Sequence, residues 1–184
     1  MKLCGIDEAG RGCLAGDLVV AGCILHKKIA GLTDSKKLSE KKREQFFIQI
    51  LKQSTYHIVS FSPLEIDTLG LSCCIKNALV EIIQTLDAEQ YLFDGNTTFG
   101  VQNLQTMVKA DAKVAEVSAA SILAKVTRDN AIKASAKLYP QYNFTTHKGY
   151  GTKKHIELIK KYGYSPIHRK SYTIKSLQPT LNLY

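Results

Sequence analysis

Leu3-Cys4-Gly5-Ile6-Asp7-Glu8-Ala9-Gly10-Arg11-Gly12 runs from apolar residues into two adjacent carboxylates and then a glycine–arginine–glycine turn. An apolar run of this kind predicts a buried strand. Burying two unpaired carboxylates costs several kcal/mol each, so a bidentate partner, a shared proton or a bound cation must compensate. Gly10 and Gly12 suit a turn where the backbone of a ligand comes close, and the planar fork of Arg11 suits a phosphate. Carboxylates beside a phosphate-gripping arginine repel the same ligand unless cations stand between them. The stretch therefore reads as divalent-metal phosphodiester chemistry. The competing reading is an acidic turn in which Arg11 pairs internally with Asp7 or Glu8.

With 184 residues the chain suits one domain, 1–184, with a sizeable core. No apolar run reaches membrane-spanning length and the start lacks a signal-peptide pattern, so a cytoplasmic protein is expected. Cys4, Cys13, Cys23, Cys73 and Cys74 make neither a Cys-x-x-Cys pair nor a zinc-spaced set, which predicts free thiols. The net charge of +9 is unevenly spread: residues 1–94 hold 11 Lys/Arg and 12 Asp/Glu, whereas residues 95–184 hold 14 and 4. The basic half, above all a C-terminal extension from about residue 140, is the expected nucleic-acid face.

Along the chain, Leu18–Leu25 reads as a second strand hairpinned to the first. A charged helix over about 40–53 follows, with Ser39 able to cap it. Tyr56–Phe61 reads as a third strand. Ile66–Leu86 has the apolar spacing of one core-facing helix. Tyr91-Leu92-Phe93 rises into Asp94-Gly95, repeating the strand-then-acid arrangement at Asp7, and two such strands would converge their acids at one sheet edge. Leu104–Val108 is a further strand candidate. Asp111 is placed to cap a long helix over about 112–138, on which Ser118, Ser121, Lys125 and Asp129 form a polar stripe. Arg128 points away from that stripe and is no obvious partner for Asp129. His147-Lys148-Gly149-Tyr150-Gly151-Thr152 forms a loop offering a tyrosine ring for stacking, before a last helix over 153–162. Ile167–Tyr172 adds basic surface.

Asp-Glu-Ala-Gly-Arg-Gly (7–12) behind an apolar strand resembles the signature of type 2 ribonucleases H, bacterial ribonuclease HII in particular. Asp34-Ser35-Lys36-Lys37-Leu38, Asp94-Gly95, the stretch from Lys113 to Asp129 and His147–Thr152 resemble four further blocks of that family. The resemblance implies an α/β ribonuclease-H-like fold with a mixed, roughly five-stranded sheet flanked by helices. It implies Asp7, Glu8, Asp94 and Asp129 as catalytic carboxylates holding two Mg²⁺ or Mn²⁺ ions, hard cations that take oxygen ligands. Adjacent strand residues face opposite ways, so Asp7 and Glu8 are expected to share a site only if the strand bends. Gly10, Arg11 and Gly12 would read the 2′-hydroxyl that marks RNA. Tyr150 would pack on the next, deoxyribose, sugar. Lys36, Lys37, Ser121, Lys125, His147 and Lys148 would contact phosphate or support the site.

The implied activity is metal-dependent cleavage of RNA in RNA–DNA hybrids and nicking 5′ to single ribonucleotides in duplex DNA, leaving 3′-hydroxyl and 5′-phosphate ends. The chain departs from the family pattern at Cys13 and Asp17, where proline is usual, at Ala110, where glycine is common, and at Leu69-Gly70-Leu71. The tail Thr180-Leu181-Asn182-Leu183-Tyr184 resembles bacterial sliding-clamp-binding peptides. The rival expectations are a junction resolvase or type 3 ribonuclease H of the same superfamily, and an inactive hybrid-binding module.

Overall fold

A computed structural model describes residues 2–32, 35, 38–174 and 177. Asp34, Lys36, Lys37 and the tail Thr180–Tyr184 lie outside the described residues. The opening apolar run is strand β1, Leu3–Ala9. It occupies the middle of a five-stranded mixed sheet in the order β3-β2-β1-β4-β5. Strand β2, Leu18–Leu25, runs antiparallel to β1 with Gly5 opposite Cys23 and Ala9 opposite Val19. Strand β3, Ser54–Phe61, completes the antiparallel half. Strands β4, Gln90–Asp94, and β5, Leu104–Met107, extend the sheet in parallel.

Helices cover both faces, which is why β1 and β2 are apolar almost throughout. On one face Cys4, Ile6, Leu18 and Val20 pack against Ile75, Leu79 and Ile82. The other face packs Ala9, Val19 and Ala21 against α1, Glu40–Gln53, and α4, Ala115–Leu138. Ser39 caps α1 as expected, its side chain accepting from the Lys42 amide. A Cβ at Gly5 would run into the α4 backbone at Glu116 and Val117. Glycine here lets the start of α4 lie directly on β1, and that contact aims the rest of the helix at the sheet's carboxyl edge.

The expected helix over 66–86 is two helices: α2, Pro63–Leu69, and α3, Leu71–Thr85. Gly70, at φ +82°, lies outside helical geometry and breaks the run, although the apolar spacing continues across it. The expected capping by Asp111 is also absent. Asp111 sits in a 3₁₀ turn, Ala110–Ala112, and α4 begins three residues later behind Val114. After α4 come a 3₁₀ turn at Pro140–Tyr142, the one-turn α5, Phe144–His147, and α6, Lys153–Tyr162. Among the described residues no helix is long and apolar enough to cross a membrane.

Candidate active site

The parallel pairing of β1 with β4 sets Ile6 beside Phe93, so Asp7 and Asp94 leave neighbouring strands at the same carboxyl edge. The Asp94 carboxylate accepts from the Ala110 amide at 3.2 Å, which draws in the 3₁₀ turn and Asp111 with it. Oxygens of Asp7, Asp94 and Asp111 all lie within 4.8 Å of one another. Among the described residues this is the one group of acids or other ligating side chains so close. Asp7 and Asp111 are buried. The fourth acid expected here, Asp129, is not in the group. It lies four turns along α4 from Ala115, held by Lys125 Nζ at 2.8 Å and 3.8 Å from Arg128 Nη1. The 3₁₀ turn sets Asp111 at the sheet edge rather than at the helix start.

Glu8 lines the same cavity as Asp7, a hollow of about 220 Å³, although β1 pairs regularly with β2 through Ala9. β1 has no β4 partner beyond Ile6, so side chains from both its faces reach the open edge. Gly10, Arg11 and Gly12 form one wall; Ser121, Lys125, Ser35 and Tyr150 form the other. Ser35 and Ser121 share a hydrogen bond of 2.9 Å. The polar stripe of α4 is thus not a solvated face, since Ser118, Ser121 and Asp129 are all buried. A larger hollow, about 490 Å³, lies at the opposite ends of β4 and β5 and carries one acid, Glu89.

Burial raises the Asp7 carboxyl well above its usual range, and the charges of Glu8 and Asp94 raise it further, against a Ser121 hydrogen bond that lowers it. Burial raises Glu8 too; Arg11, with Nη1 3.6 Å from Oε1, opposes this. The internal Arg11 pairing therefore exists, yet it does not neutralise the cluster. Glu8 Oε2 is buried and has no hydrogen-bond partner among the described residues. Crowded carboxylates with an orphaned oxygen suit a hard divalent cation, which would supply the missing charge and ligand demand.

Tyr150 is 41 % exposed, with Lys125 and Arg128 each 5.4–5.6 Å from its ring centroid. His147 does not reach the cavity. It is buried, accepts from the Gly149 amide at Nδ1 and bonds the Tyr142 carbonyl at 2.7 Å through Nε2. Lys148 turns its ammonium toward Glu40, 3.7 Å away. Both serve the loop that carries Tyr150. The 167–172 segment, expected to be basic surface, buries His168 and Arg169. Arg169 donates to the Gly16 carbonyl from Nε and Nη2 and to the Arg11 carbonyl from Nη1, clamping the glycine turn from outside. Asp111, Arg128 and Arg169 are the residues that sequence reasoning missed. The strand-then-acid logic that found Asp94 had no purchase on a 3₁₀ turn, and arginines in basic stretches give no sign of burial.

A family model described as Ribonuclease HII matches residues 4–175. Ribonuclease HII of Sulfurovum sp. (strain NBC37-1) is 60 % identical over 180 residues, 97 % of this chain and 96 % of that protein. Among solved structures, the ribonuclease HII in a PCNA complex from Archaeoglobus fulgidus superposes with a TM-score of 0.83 at 28 % identity, covering 100 % of both chains. Ribonuclease H2 from Pyrococcus horikoshii OT3 gives 0.78 at 29 %, covering 94 % of each. The fold, the acidic edge and these likenesses agree: the chain belongs to the ribonuclease HII family and is a type 2 ribonuclease H, an endonucleolytic hydrolase.

Proposed function

We propose that the protein cleaves RNA within RNA–DNA hybrids and nicks duplex DNA on the 5′ side of a single embedded ribonucleotide, leaving 3′-hydroxyl and 5′-phosphate ends. The observation that carries this reading is one cavity in which buried acids face the Gly10–Gly12 turn and the half-exposed Tyr150 ring. Asp7, Glu8, Asp94 and Asp111 would hold Mg²⁺ or Mn²⁺. Bound there, such ions supply Lewis acidity for water activation and for the departing 3′-oxygen.

The chain's own groups do the rest. Backbone at Gly10, Arg11 and Gly12 offers hydrogen-bonding groups to a 2′-hydroxyl, with no side chain at Gly12 to block approach. The Arg11 guanidinium can leave its long contact with Glu8 for a phosphate oxygen. Tyr150 presents a flat face on which a deoxyribose can pack, and a ribose 2′-hydroxyl would be poorly accommodated. Lys125 holds positive charge between Asp129 and the cavity, where the scissile strand must pass. Lys36 and Lys37, which follow Ser35 in the sequence, are assigned to phosphate contact.

Duplex DNA with one internal ribonucleotide tests the reading directly. Incised product in Mg²⁺ or Mn²⁺ and none in chelator is the expected result. Nicking of all-DNA four-way junctions with indifference to the ribonucleotide would replace it with a resolvase. We also assign the tail Thr180–Tyr184 to a sliding clamp, as its leucine alternation supports; its deletion should abolish clamp pull-down and leave nicking of short duplexes intact.

A further inference from the structure

Arg128 lies on α4, wholly buried, between the two loops that face substrate. Its Nε donates to the Asp17 carbonyl at 3.2 Å, and Nη2 donates to the Ala15 carbonyl at 3.1 Å and the Lys148 carbonyl at 2.9 Å. The guanidinium carbon stands 5.4 Å from the Tyr150 ring centroid. One planar group thus holds the far end of the glycine turn and the base of the tyrosine loop. Both loops are shaped to admit it: a Cβ at Gly10 would strike Arg128 Nε and the Asp17 carbonyl, and a Cβ at Gly149 would strike the Ala15 carbonyl and press on Nη2. The two loops also meet directly, through the Leu14 amide and the Gly149 carbonyl at 2.8 Å.

A buried cation is costly and could serve mere packing less expensively as an apolar side chain. Its counter-charge, Asp129, stands 3.8 Å from Nη1, which makes no hydrogen bond among the described residues. Only a rigid fork reaches three carbonyls on two separate loops at once; an ammonium would keep one or two.

We propose that Arg128 is a specificity-determining positioning residue, fixing the distance between the ribose-facing turn and the Tyr150 ring. It thereby sets the preference for a ribonucleotide followed by a deoxyribonucleotide over a continuous ribonucleotide strand. This rests on the assignment of Tyr150 to the deoxyribose made above.

The test compares R128K, Y150A and the double variant on two duplexes of one sequence, one with a single embedded ribonucleotide and one a continuous RNA–DNA hybrid, in Mn²⁺. Y150A should lower the ratio of kcat/KM between the two substrates. R128K should lower it at least threefold, and the double variant should fall no further than Y150A, because both act through one ring. Equal losses on both substrates with R128K, or losses that multiply in the double variant, would overturn the proposal while leaving the Tyr150 reading intact. An unchanged ratio in Y150A would remove both. Circular dichroism melting establishes that each variant is folded. If R128K does not fold, G149A decides: it presses on the same seam and leaves Tyr150 itself in place, so an unchanged ratio there overturns the proposal and a lowered one supports it.

Discussion

The acidic edge of β1 and β4 and the clasp around the Gly10–Asp17 turn bury charge in opposite ways. At the edge, Asp7, Asp94 and Asp111 crowd within 4.8 Å and Glu8 keeps an orphaned oxygen, so like charges face one another. In the clasp, Arg128 and Arg169 are just as buried, yet backbone carbonyls of residues 11, 15, 16, 17 and 148 surround them. The first region gathers like charges around one edge; the second surrounds each cation with backbone oxygens, and among the described residues only Arg128 Nη1 lacks a hydrogen bond there. Crowded like charge marks where the chemistry enters, and buried cations ringed by carbonyls mark what holds the frame around it.

Removing an acid tests this contrast most severely. D7N should cut metal-dependent cleavage by roughly 10³-fold, the scale of losing a preorganised electrostatic group. The same variant should melt higher than the parent in chelator. Asp7 has a folded pKa raised by burial, Glu8 and Asp94, so stability is greatest at low pH and is lost as pH rises through that pKa. Taking the charge away removes the loss at neutral pH. A lower melting temperature for D7N in chelator would break the comparison.

The clasp should fail in acid, where the edge does not. His155 Nδ1 bonds the Tyr150 carbonyl at 2.9 Å, its Nε2 meets His168 Nε2 at 3.0 Å, and His168 Nδ1 accepts from the Ser165 amide. Every ring nitrogen in this chain is matched only when both rings are neutral. Burial lowers both to about 4 from 6.5, with the neighbouring histidines adding repulsion. A lowered histidine pKa contributes stability that is present above the unfolded value and lost as pH falls from 6.5 through 4. Denaturant titrations across that window should show a loss on the order of 3 kcal/mol for each histidine, which H155N/H168N should flatten.

A finer comparison concerns the two aspartates that α4 and its preceding turn offer. D111N should lower cleavage roughly 10²-fold and weaken Mn²⁺ binding measured calorimetrically. D129N should leave Mn²⁺ binding unchanged and lower cleavage less than tenfold, through Lys125 and Arg128. The reverse ranking would return Asp129 to the ligand set. The smallest effect is expected from G5A, which pushes α4 off β1 beneath both regions and should cost about 2 kcal/mol of stability as overpacking.

Period and punctuation in the chain were enough for the individual strands and most helices. β2 and α1 lie where the apolar run and Ser39 put them, and Asp7, Glu8, Gly10–Gly12, Ser121, Lys125 and Tyr150 meet in one cavity as the family resemblance implies. The elements rest on local pattern, which a linear reading can follow, whereas the shared site is what the resemblance implies. Which aspartate joins Asp7 and Asp94 was settled by the 3₁₀ turn at Ala110–Ala112 and its amide bond to Asp94, a contact across sixteen residues. Whether Arg128 and Arg169 face water or carbonyls depended on loops more than a hundred residues apart folding onto one turn. Side-chain type and spacing state what a group can do; its burial and partners exist only once distant segments have been packed together.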